Sequence, residues 1–110
     1  SNNMVSVEQV MTFKRSADQV FDLKDYTSAT ILYFKTWFAI HDVILLKKIG
    51  YAPKDHTERF RLLQEQFPKQ YDLLDAEFAT YRSTYTRITS VQNCLRIRTI
   101  VQEAIDGLIG

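Results

Sequence analysis

Apolar residues return at three- and four-residue intervals through most of the chain, and that period predicts helices rather than strands. A first stretch, Val7 to Phe21, carries Val10, Phe13, Ala17, Val20 and Phe21 inward and Glu8, Lys14, Arg15, Asp18 and Asp22 outward, with Ser6 as N-cap and Gln9 in the reciprocal place of a capping box. After the short polar turn Asp22 to Asp25 the pattern changes. From Tyr26 to Ile49 apolar residues occupy almost every side, in the blocks Ile31-Leu32-Tyr33-Phe34, Trp37-Phe38-Ala39-Ile40 and Val43-Ile44-Leu45-Leu46. Only a narrow polar line, Ser28, Lys35 and Asp42, runs along it at sevens. A helix of that kind, ~36 Å long, needs protein on several faces and serves as a central pillar. Lys47 and Lys48 suit its negative end, and Gly50 stops it.

Asp55 and Glu58 form a second capping box, opening a third helix in which His56, Phe60, Leu63 and Phe67 share a stripe. Pro68 ends that helix and begins a fourth. Tyr71, Leu74, Phe78, Tyr81, Tyr85 and Ile88 then recur at alternating threes and fours over five turns, a stripe whose phenol hydroxyls predict a partly wet face. Thr89-Ser90 breaks and caps before a fifth helix with Val91, Cys94, Leu95, Val101, Ile105 and Leu108 inward and Ile97 and Ile100 widening that side. The expected fold is all-α: an up-and-down bundle of four to five helices around the long second helix, forming one domain over residues 4–110.

Composition adds limits. At 110 residues, 45% apolar and 25% charged, the chain is globular and long enough to bury a core. A net charge of +1 provides no general pull toward nucleic acid or anionic lipid, so any such surface is local. The single Cys94 permits neither an internal disulfide nor a thiolate metal cluster, and a reduced, cytoplasmic setting is expected. The Tyr26–Ile49 stretch is long enough to span a bilayer, but Lys35, His41 and Asp42 argue against it. No secretory signal is visible, and Ser1-Asn2-Asn3 before Met4 reads as an expression scar.

Candidate chemistry is confined to a few places. Between Glu77 and Glu103 no acidic residue occurs, while Arg82, Arg87, Arg96 and Arg98 lie there with Tyr81 and Tyr85 interleaved. Arginine forks beside tyrosine rings suit phosphate and stacked bases, although the same run is also what a solvated face looks like. Arg82 falls at the margin of the inward stripe and needs a partner, either a phosphate or a carboxylate such as Asp42. His41 and His56 are the groups able to exchange protons near neutral pH, and for each a hydrogen-bonded structural role is the expectation. No Gly-rich phosphate loop, HExxH, nucleophile elbow or EF-hand loop occurs, and no metal or cofactor is expected.

The succession Lys-Lys-Ile-Gly-Tyr, Ala-Pro-Lys-Asp-His56, Phe60-Arg61-Leu62-Leu63 and Tyr81-Arg82-Ser83-Thr84-Tyr85 resembles HEPN domains (higher eukaryotes and prokaryotes nucleotide-binding), over about Tyr26 to Leu108. The resemblance implies a helical homodimer, often paired with a minimal nucleotidyltransferase in toxin–antitoxin systems. Many members are metal-independent ribonucleases using an Arg followed, after four to six intervening residues, by a His. Arg82 occupies the Arg position, but Arg87, Ile88 and Thr89 stand where the His belongs. The resemblance therefore implies a non-catalytic module in which Arg82, Tyr85, His56, Tyr81 and Arg87 are candidates to contact a nucleotide, an RNA or a partner protein. Two alternatives stand beside it: a ribonuclease with His56 as a relocated histidine, and a purely structural assembly subunit.

Overall fold

In a computed structural model, residues 5–109 are described; Met4 and Gly110, the ends of the expected domain, and the Ser1-Asn2-Asn3 segment lie outside them. Five helices form and, among the described residues, no strand: α1 (Val7–Asp22), α2 (Tyr26–Ile49), α3 (His56–Gln66), α4 (Pro68–Ser83) and α5 (Val91–Ile109). Each helix start except that of α4 has a side-chain cap. Ser6 Oγ accepts from Gln9 N–H at 3.1 Å, Asp25 from Ser28 at 3.0 Å, Asp55 from Glu58 at 2.9 Å and Ser90 from Asn93 at 3.1 Å. In the Asp55 box the returning carboxylate of Glu58 takes the N–H of Lys54 at 3.2 Å, one residue outside the expected position. Lys24 turns the chain between α1 and α2 in a left-handed conformation, φ 65°. Gly50, φ 85°, ends α2 by donating to Leu46 O at 2.9 Å.

α2 is the pillar. Ala29, Tyr33, Phe34, Trp37, Ile40, Val43 and Leu45 are buried on it, and two buried threonines, Thr30 and Thr36, return their hydroxyls to Tyr26 O and Leu32 O, so neither leaves an unpaired polar atom. This burial accounts for an apolarity that by length and composition alone would suit a membrane span. α1 descends antiparallel to α2, from Phe13 beside Lys35 to Phe21 against Tyr26. α5 ascends beside it, burying Cys94, Ile97, Val101 and Ile105.

The 50–55 connection doubles back, so α3 begins beside Phe38 rather than beyond the end of α2, and α4 returns antiparallel to α3 with Phe78 against Phe60. The order is thus two antiparallel pairs, α1–α2 and α3–α4, with α5 laid along α2.

Three expectations about facing change. Lys14 and Asp18 do not face out: Lys14 is buried and donates to Asp18 at 2.7 Å, and Tyr33 of α2 donates to the same carboxylate at 2.6 Å. Burial alone would raise the Asp18 carboxyl, but the hydrogen bonds from Lys14 and Tyr33 and the charges of Lys14 and Arg98 hold it below the usual range. Leu95, expected inward, is 43% exposed because Cys94 and Ile97 take the α2-facing side. The α4 stripe does not run five turns. Ser83 and Thr84 turn their hydroxyls onto Thr80 O and Tyr81 O, the helix closes at Ser83, and Tyr85 and Ile88 emerge 72% and 90% exposed.

Candidate functional site

The polar line of α2 is where the chemistry gathers. Asp42, half-buried on that line, receives a bidentate fork from Arg59 of α3, Nε to Oδ1 at 2.9 Å and Nη2 to Oδ2 at 3.1 Å. Arg59 is buried, with its guanidinium 5.1 Å from the centre of the Phe38 ring. Its remaining Nη1 meets His56 Nδ1 at 2.6 Å. Arginine has no acceptor, so the Nδ1 of His56 must accept, and the neutral ring carries its proton on Nε2. Burial, then the Arg59 charge, holds His56 below the usual imidazole range.

His56 stands edge-on to Phe38 at 4.6 Å and within 6.0 Å of Tyr81, whose hydroxyl shares a 3.0 Å hydrogen bond with Tyr85. Burial, with the Tyr85 hydroxyl second, pushes the Tyr81 phenol up to about 12. Together these residues border a cleft of about 250 Å³ that also receives Lys35, Phe13 and Gln9. Lys35 is exposed and has no carboxylate partner among the described residues, so it is the available cation at this cleft.

The sequence candidates divide. His56, Tyr81 and Tyr85 come together, and Arg82 stands next to them with its guanidinium over Phe78 at 5.6 Å, the ring that His56 also meets. Arg82 does not pair with Asp42, because Arg59 already occupies both carboxylate oxygens. Arg87 is exposed in the turn after α4.

The four arginines between Glu77 and Glu103 do not form one basic face. Arg96 is held by Glu77 at 3.0 Å, and Arg98 leans over Phe21 at 4.4 Å toward Asp18. Arg82 and Arg87 remain without ion pairs among the described residues. Sequence reading missed Arg59 altogether. Its one visible signal was its place three residues after His56, which puts both on one side of α3.

His41 and Cys94 belong elsewhere. His41 is buried to 1% exposure and neither ring nitrogen has a hydrogen-bond partner, so the expected hydrogen-bonded role is not what the structure shows. Burial, with the Arg59 charge second, lowers its pKa to about 3, so it is neutral at physiological pH. The Cys94 thiol is buried and pushed up by that burial, the opposite of an activated nucleophile. Among the described residues no three His, Cys, Asp or Glu side chains cluster as metal ligands would.

A larger cavity of about 600 Å³ lies between α2, the start of α4 and the end of α5, and shares no lining residue with the polar cleft. Comparisons with protein-family models, with curated proteins and with solved structures find no match.

Proposed function

We propose that this chain is a non-catalytic, HEPN-like module that works as a homodimer and binds the phosphate of a nucleotide or RNA at the cleft bordered by Lys35, His56 and Tyr81, beside a minimal nucleotidyltransferase partner. The observation that carries the reading is the Arg59 to His56 contact at 2.6 Å. It uses the lone pair of Nδ1 and leaves Nε2 with its proton, so neutral His56 offers a donor rather than a base. A donor beside the ammonium of Lys35 and the phenol pair Tyr81–Tyr85 suits an anion with an adjoining ring. Ribose deprotonation would need the reverse, an unoccupied imidazole nitrogen within reach of the hydroxyl. Arg82 and Arg87 extend the same end of α4 with two further cations.

Fluorescence anisotropy of a short labelled RNA, with ATP as competitor, tests this. Binding is expected to weaken by roughly 5–10-fold in Arg82→Ala and in Lys35→Ala, and the slope of log K against log salt to fall by about 0.7 for each phosphate contact removed. The same RNA should remain uncut. Wild-type protein that neither retains RNA nor is competed by nucleotide overturns the ligand reading, cleavage lost in His56→Ala overturns the non-catalytic one, and a monomer by light scattering at micromolar concentration overturns the dimer.

A further inference from the structure

The polar cleft contains two groups that phosphate binding alone does not use, Gln9 and Phe13 of α1. Ser6 Oγ accepts the backbone N–H of Gln9 at 3.1 Å, so the capping box closes in one direction. The Ser6 N–H does not donate back to the Gln9 amide; that half-buried side chain lines the cleft instead and has no hydrogen-bond partner among the described residues. Phe13 follows one turn along α1, on the same side of the helix. It is half-buried and stands apart from the packed core, with the ammonium of Lys35 5.8 Å from the centre of its ring.

An aromatic face and a primary amide one turn apart suit a nucleobase, which stacks on the ring and turns its edge to the amide. At about 250 Å³ the cleft is smaller than sites that enclose whole drug-sized ligands, ~300–1,000 Å³, so it holds one base and leaves ribose and phosphate at its mouth, where Lys35 is exposed.

The donors and acceptors on offer select the base. The Gln9 amide presents one donor beside one acceptor. Adenine shows the complementary pair on both of its free edges, its N6–H lying between N7 and N1. Guanine shows two acceptors on its N7 edge, and its opposite edge carries the N1–H and N2–H donors that a carboxylate meets best. The carboxylate that lines the cleft, Asp42, is closed to them because the Arg59 fork takes both of its oxygens. Pyrimidines can pair with an amide but bring a single ring to stack.

We infer that the ligand of this cleft is an adenine nucleotide, its base stacked on Phe13 and read by the Gln9 amide, its phosphate toward Lys35 and His56. This rests on the phosphate reading of the same cleft and adds the base to it.

Isotopically labelled full-length protein is titrated with AMP, GMP and ribose 5-phosphate and followed by NMR. AMP is expected to shift the Gln9 side-chain amide resonance and to bind at least ~5-fold more tightly than GMP, the smaller end of what one bidentate amide pair discriminates. Ribose 5-phosphate binds most weakly. In Gln9→Met, which keeps side-chain length and the backbone cap on Ser6, the two nucleotides bind equally and ribose 5-phosphate is unaffected. Gln9→Glu supplies the carboxylate that guanine needs and turns the preference toward GMP. Phe13→Leu weakens both nucleotides by ~5-fold or more and leaves ribose 5-phosphate unchanged.

Equal binding of AMP and GMP by the wild type, an AMP preference kept in Gln9→Met, or ribose 5-phosphate as tight as AMP each overturns the base assignment while the phosphate reading stands. Binding of none of the three overturns both.

Discussion

The two histidines of α2 and α3 occupy opposite kinds of site although His41 and Asp42 are chain neighbours. At His56 a buried arginine fixes the proton on one nitrogen and leaves the ring exposed. At His41 the ring is enclosed and neither nitrogen is spoken for. One is a surface group held in a defined tautomer by its neighbours. The other is an apolar-pocket residue whose polarity the fold does not answer. The same side chain thus serves as an oriented donor beside one face of α2 and as an unmet polar point on the adjoining face, and the difference is that Arg59 reaches the His56 ring with a hydrogen bond but His41 with its charge alone.

The largest effect expected from this contrast is on acid stability. His41 has a folded pKa of about 3 against an ordinary value near 6.5, so below pH 6.5 the unfolded chain binds a proton that the folded chain refuses. Stability is therefore complete above pH 6.5, declines as pH falls toward 3 and levels off below it. His56 is lowered too and adds a smaller decline of the same sign. Asp18, whose pKa is also lowered, contributes stability that is lost only below about 3.8, outside the window. Urea unfolding between pH 7 and 4.5 should show a loss on the order of 2–3 kcal/mol, most of it absent in His41→Leu. A flat profile in wild type would mean that His41 finds a proton partner.

Next is Arg59→Leu, which frees Asp42 and the Nδ1 of His56 together. A cost of about 2 kcal/mol in urea unfolding is expected, below the usual cost of a fully buried pair because Asp42 keeps partial solvent access. In the same variant His56 loses its tautomer constraint and the nearest positive charge, so its pKa, followed by NMR, should rise. Smallest is His56→Ala, expected to cost less than ~0.5 kcal/mol because the ring is exposed. A cost near that of Arg59→Leu would show that the histidine, rather than the Asp42 fork, organises the cluster.

Much of the fold could be read along the chain because its punctuation is local. Ser6, Asp25, Asp55, Pro68 and Ser90 all stand at helix starts, and Gly50 at a helix end, for reasons contained within four residues of each. The end of α4 was not legible by period, since Tyr85 and Ile88 keep the spacing of Tyr71 and Phe78 but Ser83 and Thr84 bond back to the helix and close it. Arg59 and Lys14 were illegible for a different reason. Each is a charged residue whose burial depends on a group brought in from another helix: Asp42 lies 17 positions before Arg59, and Tyr33 reaches across 15 to Asp18, the partner of Lys14. Helix spacing put Tyr81 beside Tyr85, but the approach of His56 from α3 was not legible from spacing, and the separation of Arg96 and Arg98 from Arg82 required knowing that Glu77 and Phe21 would claim them.

The doubled-back connection between α2 and α3 has a mechanical consequence. Because residues 50–55 return the chain to the middle of α2, α3 and α4 lie on α2 as one pair, held there by the Arg59–Asp42 fork and by Tyr81 against Phe34 and Phe38, with Arg96–Glu77 joining α4 to α5. The α3–α4 pair borders both cavities, since Tyr81 lines the polar cleft and Gln70 the apolar one. Two cavities with no lining side chain in common thus share one wall, and a substitution that shifts the α3–α4 pair on α2 would reshape both.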